Sequence, residues 1–443
     1  MTRNNKGFSS FLKIFFLSIS LALFFQNAIS QDFDREVQII NLLKKHKFRT
    51  LHRKFDKNLA SSVSTQKMKM IWAGLEKTVG KYESYGKTEI KQLGENSKTV
   101  TPIYFKNGTL MLETSFDEKG KLTGIFLRAK SYILPSYGEN LLYNREEISI
   151  QTGSFSLPGE ILYPKNLDQK VPLVILVHGS GANNRYEDGG NIKVFKDLAL
   201  GLVSKGVACL IYDKRTLVYK SVYDTAQFTI NDETVADAVS AYYLARTKLP
   251  VDTNHIFIVG HSLGGYALPL ILERCVGVAG GISMAGAARP LEDLITDQYW
   301  FFTHVDGKYS LTEKYFLNKE KKKIRKVKDP ELRNSKPKPR VLAYWPTAFW
   351  VDIQNYKPVE KMAALPYPVL FLQGDRDFQV TDKDFSLWKS KYLEKQNWSF
   401  IAYPKLNHLF VEGEGKPNPA EYWNSGNIPL YVIEDIYNWI KSK

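Results

Sequence analysis

The stretch Ile256-Phe257-Ile258-Val259-Gly260-His261-Ser262-Leu263-Gly264-Gly265-Tyr266 decides the fold. Its first four residues are apolar and read as a buried strand. The next five read as a very tight turn, and Leu263 to Glu273 as a helix that begins inside that turn. A strand reversing this sharply into a helix holds its central residue in a strained backbone conformation. The residues two positions either side must be small for the arms to approach, and Gly260 and Gly264 meet that need. The Ser262 side chain is then pushed out at the carboxyl edge of a sheet. This is a nucleophile elbow in the strand–turn–helix setting that the motif requires.

Outward from the elbow, apolar strands alternate with helices. Pro172 to Val177 is a continuous apolar strand, Val194 to Ser204 a helix, Val207 to Tyr212 a strand and Asp232 to Arg246 a helix. Beyond the elbow come strands Val278 to Ser283, Pro368 to Leu372 and Trp398 to Tyr403, with a closing helix Pro429 to Ile440. The alternation predicts an α/β domain over 145–443, a mostly parallel sheet covered by helices on both faces. Residues 291–346 interrupt it with an aromatic start (Tyr299 to Phe302) and a basic run from Lys319 to Lys328. Inserted before Pro368, they are expected to form a lid above Ser262. The basic run reads as a solvated helix face in preference to a binding patch.

A serine hydroxyl becomes a nucleophile only when a base takes its proton, and a third group must hold that base in one tautomer. On this architecture the chain order is serine, acid, histidine. Of the seven histidines only His408 follows the strand that should deliver the acid, and it sits in a loop after the last strand. The acid loop reads Gln373-Gly374-Asp375-Arg376-Asp377-Phe378-Gln379-Val380. Asp377, three residues after the glycine and three before Val380, is preferred, with Asp375 left to cap the turn or pair with Arg376. For an oxyanion, Leu263 N–H is one donor. The second comes from His178-Gly179-Ser180-Gly181-Ala182, with Ser180 chosen ahead of Gly181. His178 is expected to hold this loop by side-chain hydrogen bonds.

Val177 to Gly181, Tyr212-Asp213-Lys214-Arg215, Gly260 to Gly265, Leu372 to Val380 and Leu406-Asn407-His408-Leu409-Phe410 form an ordered set. In that order they resemble the α/β-hydrolase family, and more closely its secreted bacterial members that carry a small N-terminal domain. Such members often have Pro-x-Asp-Arg after the His-Gly-Ser-Gly motif, where this chain has Ala182-Asn183-Asn184-Arg185. The resemblance implies hydrolysis of a small carboxylic ester through an acyl-enzyme on Ser262. Peptidase, acyltransferase and thioesterase activities share the fold and stay open. No cofactor or metal site is visible in the sequence.

Before the hydrolase-like part, residues 31–135 read as a small α+β domain. Two helical stretches precede an antiparallel meander with turns at Lys106-Asn107-Gly108 and Asp117 to Lys121. Residues 136–144 are the expected linker. This domain holds no cluster of catalytic residue types and is read as a dimerisation or substrate-positioning module. The formal charge of +15 is uneven: residues 1–30 hold +3, 31–135 hold +9, 291–346 hold +5, and the remainder is −2. Basicity therefore belongs to accessory parts, and no nucleic-acid motif accompanies it. Arg3, Lys6 and Lys13, an apolar run from Ile14 to Phe25, and Ala28-x-Ser30 read as an export signal cut after Ser30. A periplasmic or secreted protein with no stable membrane span is expected. Two cysteines in so large a chain read as free thiols.

Overall fold

The computed structural model describes residues 32–443 apart from 94–95, 168, 190, 249 and 392–393, so the export signal at 1–30 lies outside the described residues. The chain divides into two compact units. One comprises the described residues up to Lys130 together with Pro419–Asn424, and the other comprises Ser131–Asn418 with Ser425–Lys443.

The first unit packs helices α1 (32–44), α2 (Phe48–His52), α3 (Lys57–Ser62) and α4 (Thr65–Val79) with an antiparallel sheet. Ser64 caps α4 by accepting Lys67 N–H. The strands are β1 (Tyr82–Tyr85), β2 (Glu89–Leu93), β3 (Asn96–Phe105), β4 (Gly108–Phe116) and β5 (Leu122–Arg128). They run β1-β3-β4-β5, with β2 also on β3. The expected hairpin is present, but Phe105 pairs with Gly108, so its two-residue turn is Lys106-Asn107 and not Asn-Gly, and Gly108 opens β4. Alternation along β4 sends Leu110, Leu112 and Thr114 inward. Ile39, Ile40 and Leu43 of α1 and Trp72 of α4 complete the core, and Ala420 is buried in it.

The second unit is an eight-stranded sheet in the order β13-β12-β11-β10-β8-β9-β7-β6. In chain order it runs β6 (Tyr143–Thr152), β7 (Phe155–Pro164), β8 (Val171–Val177), α5 (Val194–Ser204), β9 (Ala208–Tyr212), α6 (Arg215–Val218), α7 (Ala236–Ala245), β10 (Val251–His261), α8 (Leu263–Arg274) and β11 (Gly280–Met284). An all-helical insertion follows: α9 (Leu291–His304), α10 (Leu311–Lys328), α11 (Thr347–Ile353) and α12 (Pro358–Ala363). Then come β12 (Val369–Gly374), α13 (Asp382–Lys389), β13 (Trp398–Tyr403) and α14 (Leu430–Lys441). Five neighbouring pairs from β9 to β13 are parallel, while β6–β7 and β7–β9 are antiparallel. Strands buried on both faces explain the continuous apolar runs. One core layer contains α5 and α14, the other α7, α8 and the inserted helices. Cys209 and Cys275 are buried free thiols.

The expected linker 136–144 is packed and not a free connection. Ser136–Gly138 forms a 3₁₀ turn, and Tyr137 Oη donates to Ile428 O at 2.8 Å. Tyr132 Oη likewise donates to the buried Asp197 at 2.5 Å. Tyr137, and Tyr132 just before the stretch, supply contacts that its turn-forming residues concealed in the sequence.

Candidate active site

β10 ends at His261 and α8 begins at Leu263, which leaves Ser262 alone at the turn with φ 53° and ψ −112°. That is a costly conformation for a residue with a side chain. The crossing is too tight for anything but glycine: a Cβ on Gly260 would lie 2.3 Å from Gly264 O, and one on Gly264 would lie 2.3 Å from Val177 O. Ser262 N–H is tied to Met284 O at 2.9 Å, at the end of β11.

The structure brings the three side chains chosen from sequence into one line. His408 Nε2 is 3.0 Å from Ser262 Oγ, and His408 Nδ1 is 2.7 Å from Asp377 Oδ2. The other carboxylate oxygen accepts Gln379 N–H at 2.7 Å and Val380 N–H at 2.9 Å. With both oxygens engaged and the side chain fully buried, Asp377 has little freedom to turn away from the imidazole. Asp375, two residues earlier on the same loop, is exposed.

The glycine-rich loop after β8 crosses directly over the elbow. A Cβ on Gly179 would come 3.2 Å from Ser262 Cβ. Its amides are allocated: Gly179 N–H donates to Glu187 Oε1 at 2.7 Å, and Gly181 N–H to Glu233 Oε1 at 3.1 Å. Among the described residues no acceptor takes the N–H of Ser180 or Leu263, and both residues line the cleft with Ser262. The loop is fixed from below by Lys214, whose Nζ donates to Gly179 O at 2.6 Å and to Glu233 at 2.7 Å. Thr216 Oγ1 donates to Gly181 O at 3.0 Å. Glu233 arrives from a π-helical turn, Asn231–Val235, that leads into α7. His178 does what its position suggested: Nε2 bonds Asn184 O at 3.0 Å. Burial pushes its pKa down to about 4, so it stays neutral. In the departing stretch, Arg185 pairs with Asp213 at 3.0 Å.

His261 has a part that its place in the motif did not reveal. Its Nε2 donates to the backbone carbonyl of His408 at 2.8 Å, and its Nδ1 lies 2.9 Å from Glu187 Oε2, an ion contact and not an in-line hydrogen bond. A carbonyl and a carboxylate can only accept, so the doubly protonated imidazolium suits both. Burial opposes that charge, but the Glu187 carboxylate, together with the His408 carbonyl and Asp377, outweighs it and holds His261 above the ordinary imidazole value. Burial likewise pushes Glu187 up, and His261, with His178 and the Gly179 amide, more than offsets it, leaving the carboxyl below its usual range. The pair thus joins the Gly179 loop to the His408 loop. No local pattern marks Glu187, Glu233 or Lys214. Lys214 lies in a stretch that resembles the family, but its sequence neighbours give it no role.

Beside Ser262 opens a cleft of about 470 Å³ that includes solvent-facing space. Its apolar wall is Ala287, Leu291, Leu294, Ile295, Trp345 and Val380, with Tyr266, Gln298 and Gln379 as polar members. None of the lining residues carries a charge. The insertion therefore borders the cleft through α9 and Trp345.

The sequence profile of the Alpha/beta hydrolase family matches residues 174–422, and that of a protein family of unknown function (DUF3887) matches residues 37–125. Esterase EstD of Thermotoga maritima is 30% identical over 429 residues, covering 96% of this chain and 99% of its own. Among solved structures, Est1E from Butyrivibrio proteoclasticus aligns with TM-score 0.42 and 16% identity over 67% of this chain and 99% of its own. A putative dipeptidyl aminopeptidase IV from Bacteroides ovatus aligns with TM-score 0.45 and 13% identity over 82% of this chain and 44% of its own.

Proposed function

The chain belongs to the alpha/beta hydrolase family, and from that premise we propose that it is a serine carboxylic-ester hydrolase. The observation that carries the reading is the line from Asp377 through His408 to Ser262 Oγ, ending beside two unengaged amides in an uncharged cleft. Ser262 Oγ attacks the ester carbonyl carbon and passes its proton to His408 Nε2. Asp377 holds the opposite nitrogen and stabilises the imidazolium. The carbonyl oxygen, now anionic, is met by the N–H groups of Ser180 and Leu263. Collapse expels the alcohol, which takes the proton from His408, and water repeats the sequence to free the acid and Ser262.

The relative named an esterase is aligned over nearly its whole length, which supports ester cleavage here. A cleft wall without a charged side chain favours an uncharged ester with a modest apolar acyl or alcohol group over a substrate with a free amine. The same proposal places the enzyme in the periplasm or outside the cell, after removal of residues 1–30 as an export signal.

A fluorophosphonate probe should label the Ser262 peptide of the wild-type protein and leave Ser262→Ala unlabelled. Turnover of p-nitrophenyl esters should fall roughly 10⁴- to 10⁶-fold in that variant with its melting temperature kept, because triad members act as a unit. A folded Ser262→Ala protein retaining most of its turnover sinks the proposal.

A further inference from the structure

The helical hairpin α9–α10 has two unlike faces. Its inner face belongs to the cleft: Leu291, Leu294 and Ile295 are buried there, and Gln298 Nε2 bonds Gln379 O at 3.1 Å. Phe301 stacks on Phe378, next to Asp377, with centroids 4.4 Å apart. Its turn end is different. Within seventeen residues, Trp300, Phe302, Tyr309, Leu311, Tyr315 and Phe316 are all exposed, Leu311 by 85% and Tyr315 by 71%. These side chains are organised. Trp300, His304 and Tyr309 form a stack with centroids 4.5 and 4.4 Å apart, and Tyr299 meets Phe316 at 5.4 Å across the two helices.

Charge is equally one-sided. Residues 300–328 hold nine lysines and arginines against three acids. The acids are engaged locally: Glu313 closes the capping box with Ser310, Glu320 is buried beside Lys323, and Asp306 accepts Lys308 N–H. Leu317, Ile324 and Val327 seat α10 on the protein, while Lys314, Lys319, Lys322, Arg325 and Lys326 are exposed.

An aromatic and aliphatic tip flanked by long basic side chains matches the interface of an anionic bilayer. Rings and Leu311 enter the acyl boundary, and the lysines reach phosphate level on their flexible stems. A tip that projects side chains offers no groove for a peptide, and an exposed leucine at its apex adds nothing to stacking on nucleic-acid bases. No helix among the described residues is long and apolar enough to cross a membrane. We propose that the turn end of α9–α10 docks this protein on an anionic phospholipid surface, with the cleft wall carried by the same hairpin. Docking is independent of chemistry at Ser262. Only its use, delivering acyl esters from the lipid layer to the cleft, rests on the ester-hydrolase reading.

The test is co-sedimentation of the chain starting at Gln31, free of the apolar leader, with vesicles of phosphatidylcholine alone or with about one-third phosphatidylglycerol. Binding to the anionic vesicles should be at least about tenfold tighter and should weaken steeply as salt shortens the screening length. Leu311→Glu with Tyr315→Glu should lower it tenfold or more while turnover of a soluble short ester stays unchanged, which also reports that the variant folds. Lys314→Gln with Lys319→Gln and Lys322→Gln should abolish the preference for phosphatidylglycerol. Ser262→Ala should bind as wild type, so loss of esterase activity and loss of docking are read separately. Equal binding to both vesicle types, or undiminished binding by the Leu311/Tyr315 variant, overturns the proposal. So does a lipid-free dimer that this variant splits, since the patch would then be a protein interface.

Discussion

Each unit buries a glutamate, and the two are handled in opposite ways. Glu36, on α1 of the N-terminal unit, is surrounded by hydroxyls: Thr101 donates to one oxygen at 2.9 Å and Thr114 to the other. Thr99 and Thr88 extend the cluster at 2.6 and 2.9 Å. Burial raises the Glu36 carboxyl above its usual range, and the threonines only partly oppose that. Glu187 of the hydrolase unit meets an imidazolium and an amide, and its carboxyl is held low. Hydroxyls can reverse the direction of a hydrogen bond, whereas an amide N–H and an imidazolium cannot. The first glutamate is therefore held by partners that can serve either form of the carboxyl, whereas the second is held as the carboxylate and aligns two loops of the site.

The largest break in this contrast is expected at the other buried carboxylate of the site. Asp377→Asn should cost about 10⁴-fold in kcat, because an amide would present the wrong partner to His408 Nδ1. Asp375→Asn, on an exposed side chain, should cost less than tenfold. The reversed order of losses in steady-state kinetics would assign the role to Asp375.

Glu187→Gln comes next. It leaves the His261 charge buried without its counter-ion, a change that destabilises by about 3–5 kcal/mol in comparable pairs. A melting temperature lowered to that extent, with a kcat loss of roughly 10²-fold, is the expected outcome. A variant as stable and active as wild type would mean that His261 is neutral. The pair also fixes a pH dependence. His261 has its folded pKa raised, so its contribution to stability is complete below about 6.5 and is lost as pH rises through the folded value. Glu187 has its folded pKa lowered, so its contribution is complete above about 4.3 and is lost as pH falls through the folded value. Urea midpoints measured across pH should show an alkaline decline in the wild type that flattens in His261→Asn.

The smallest effect belongs to the N-terminal unit. Glu36→Gln should change stability by no more than about 1 kcal/mol, since threonine hydroxyls can turn to serve an amide. With its folded pKa raised, Glu36 stabilises fully below about 4.3 and loses that contribution as pH rises through the folded value. The Gln variant should therefore lose less stability than wild type between acidic and neutral pH, with esterase kinetics unchanged. A loss of several kcal/mol would show that the hydroxyls cannot serve an amide and that the contrast with Glu187 fails.

The sequence by itself determined whatever is local. Gly260, whose Cβ would strike Gly264 O across the Ser262 turn, and the hairpin turn at Lys106-Asn107 each express a steric demand met within a few residues, so their patterns could be read directly. Chain order then separated His408 from the other six histidines. Tertiary structure alone decided what holds these parts in place. Glu187 finds His261, His261 finds a carbonyl 147 residues away, and Lys214 finds Glu233 across 19 residues and Gly179 across 35. A buried ion pair leaves no periodicity in the chain, because its partners are matched by charge and position in space and not by any spacing along it. The packing of 136–144 follows the same logic: its turn residues read as a linker, while Tyr137 is anchored by Ile428, far along the chain.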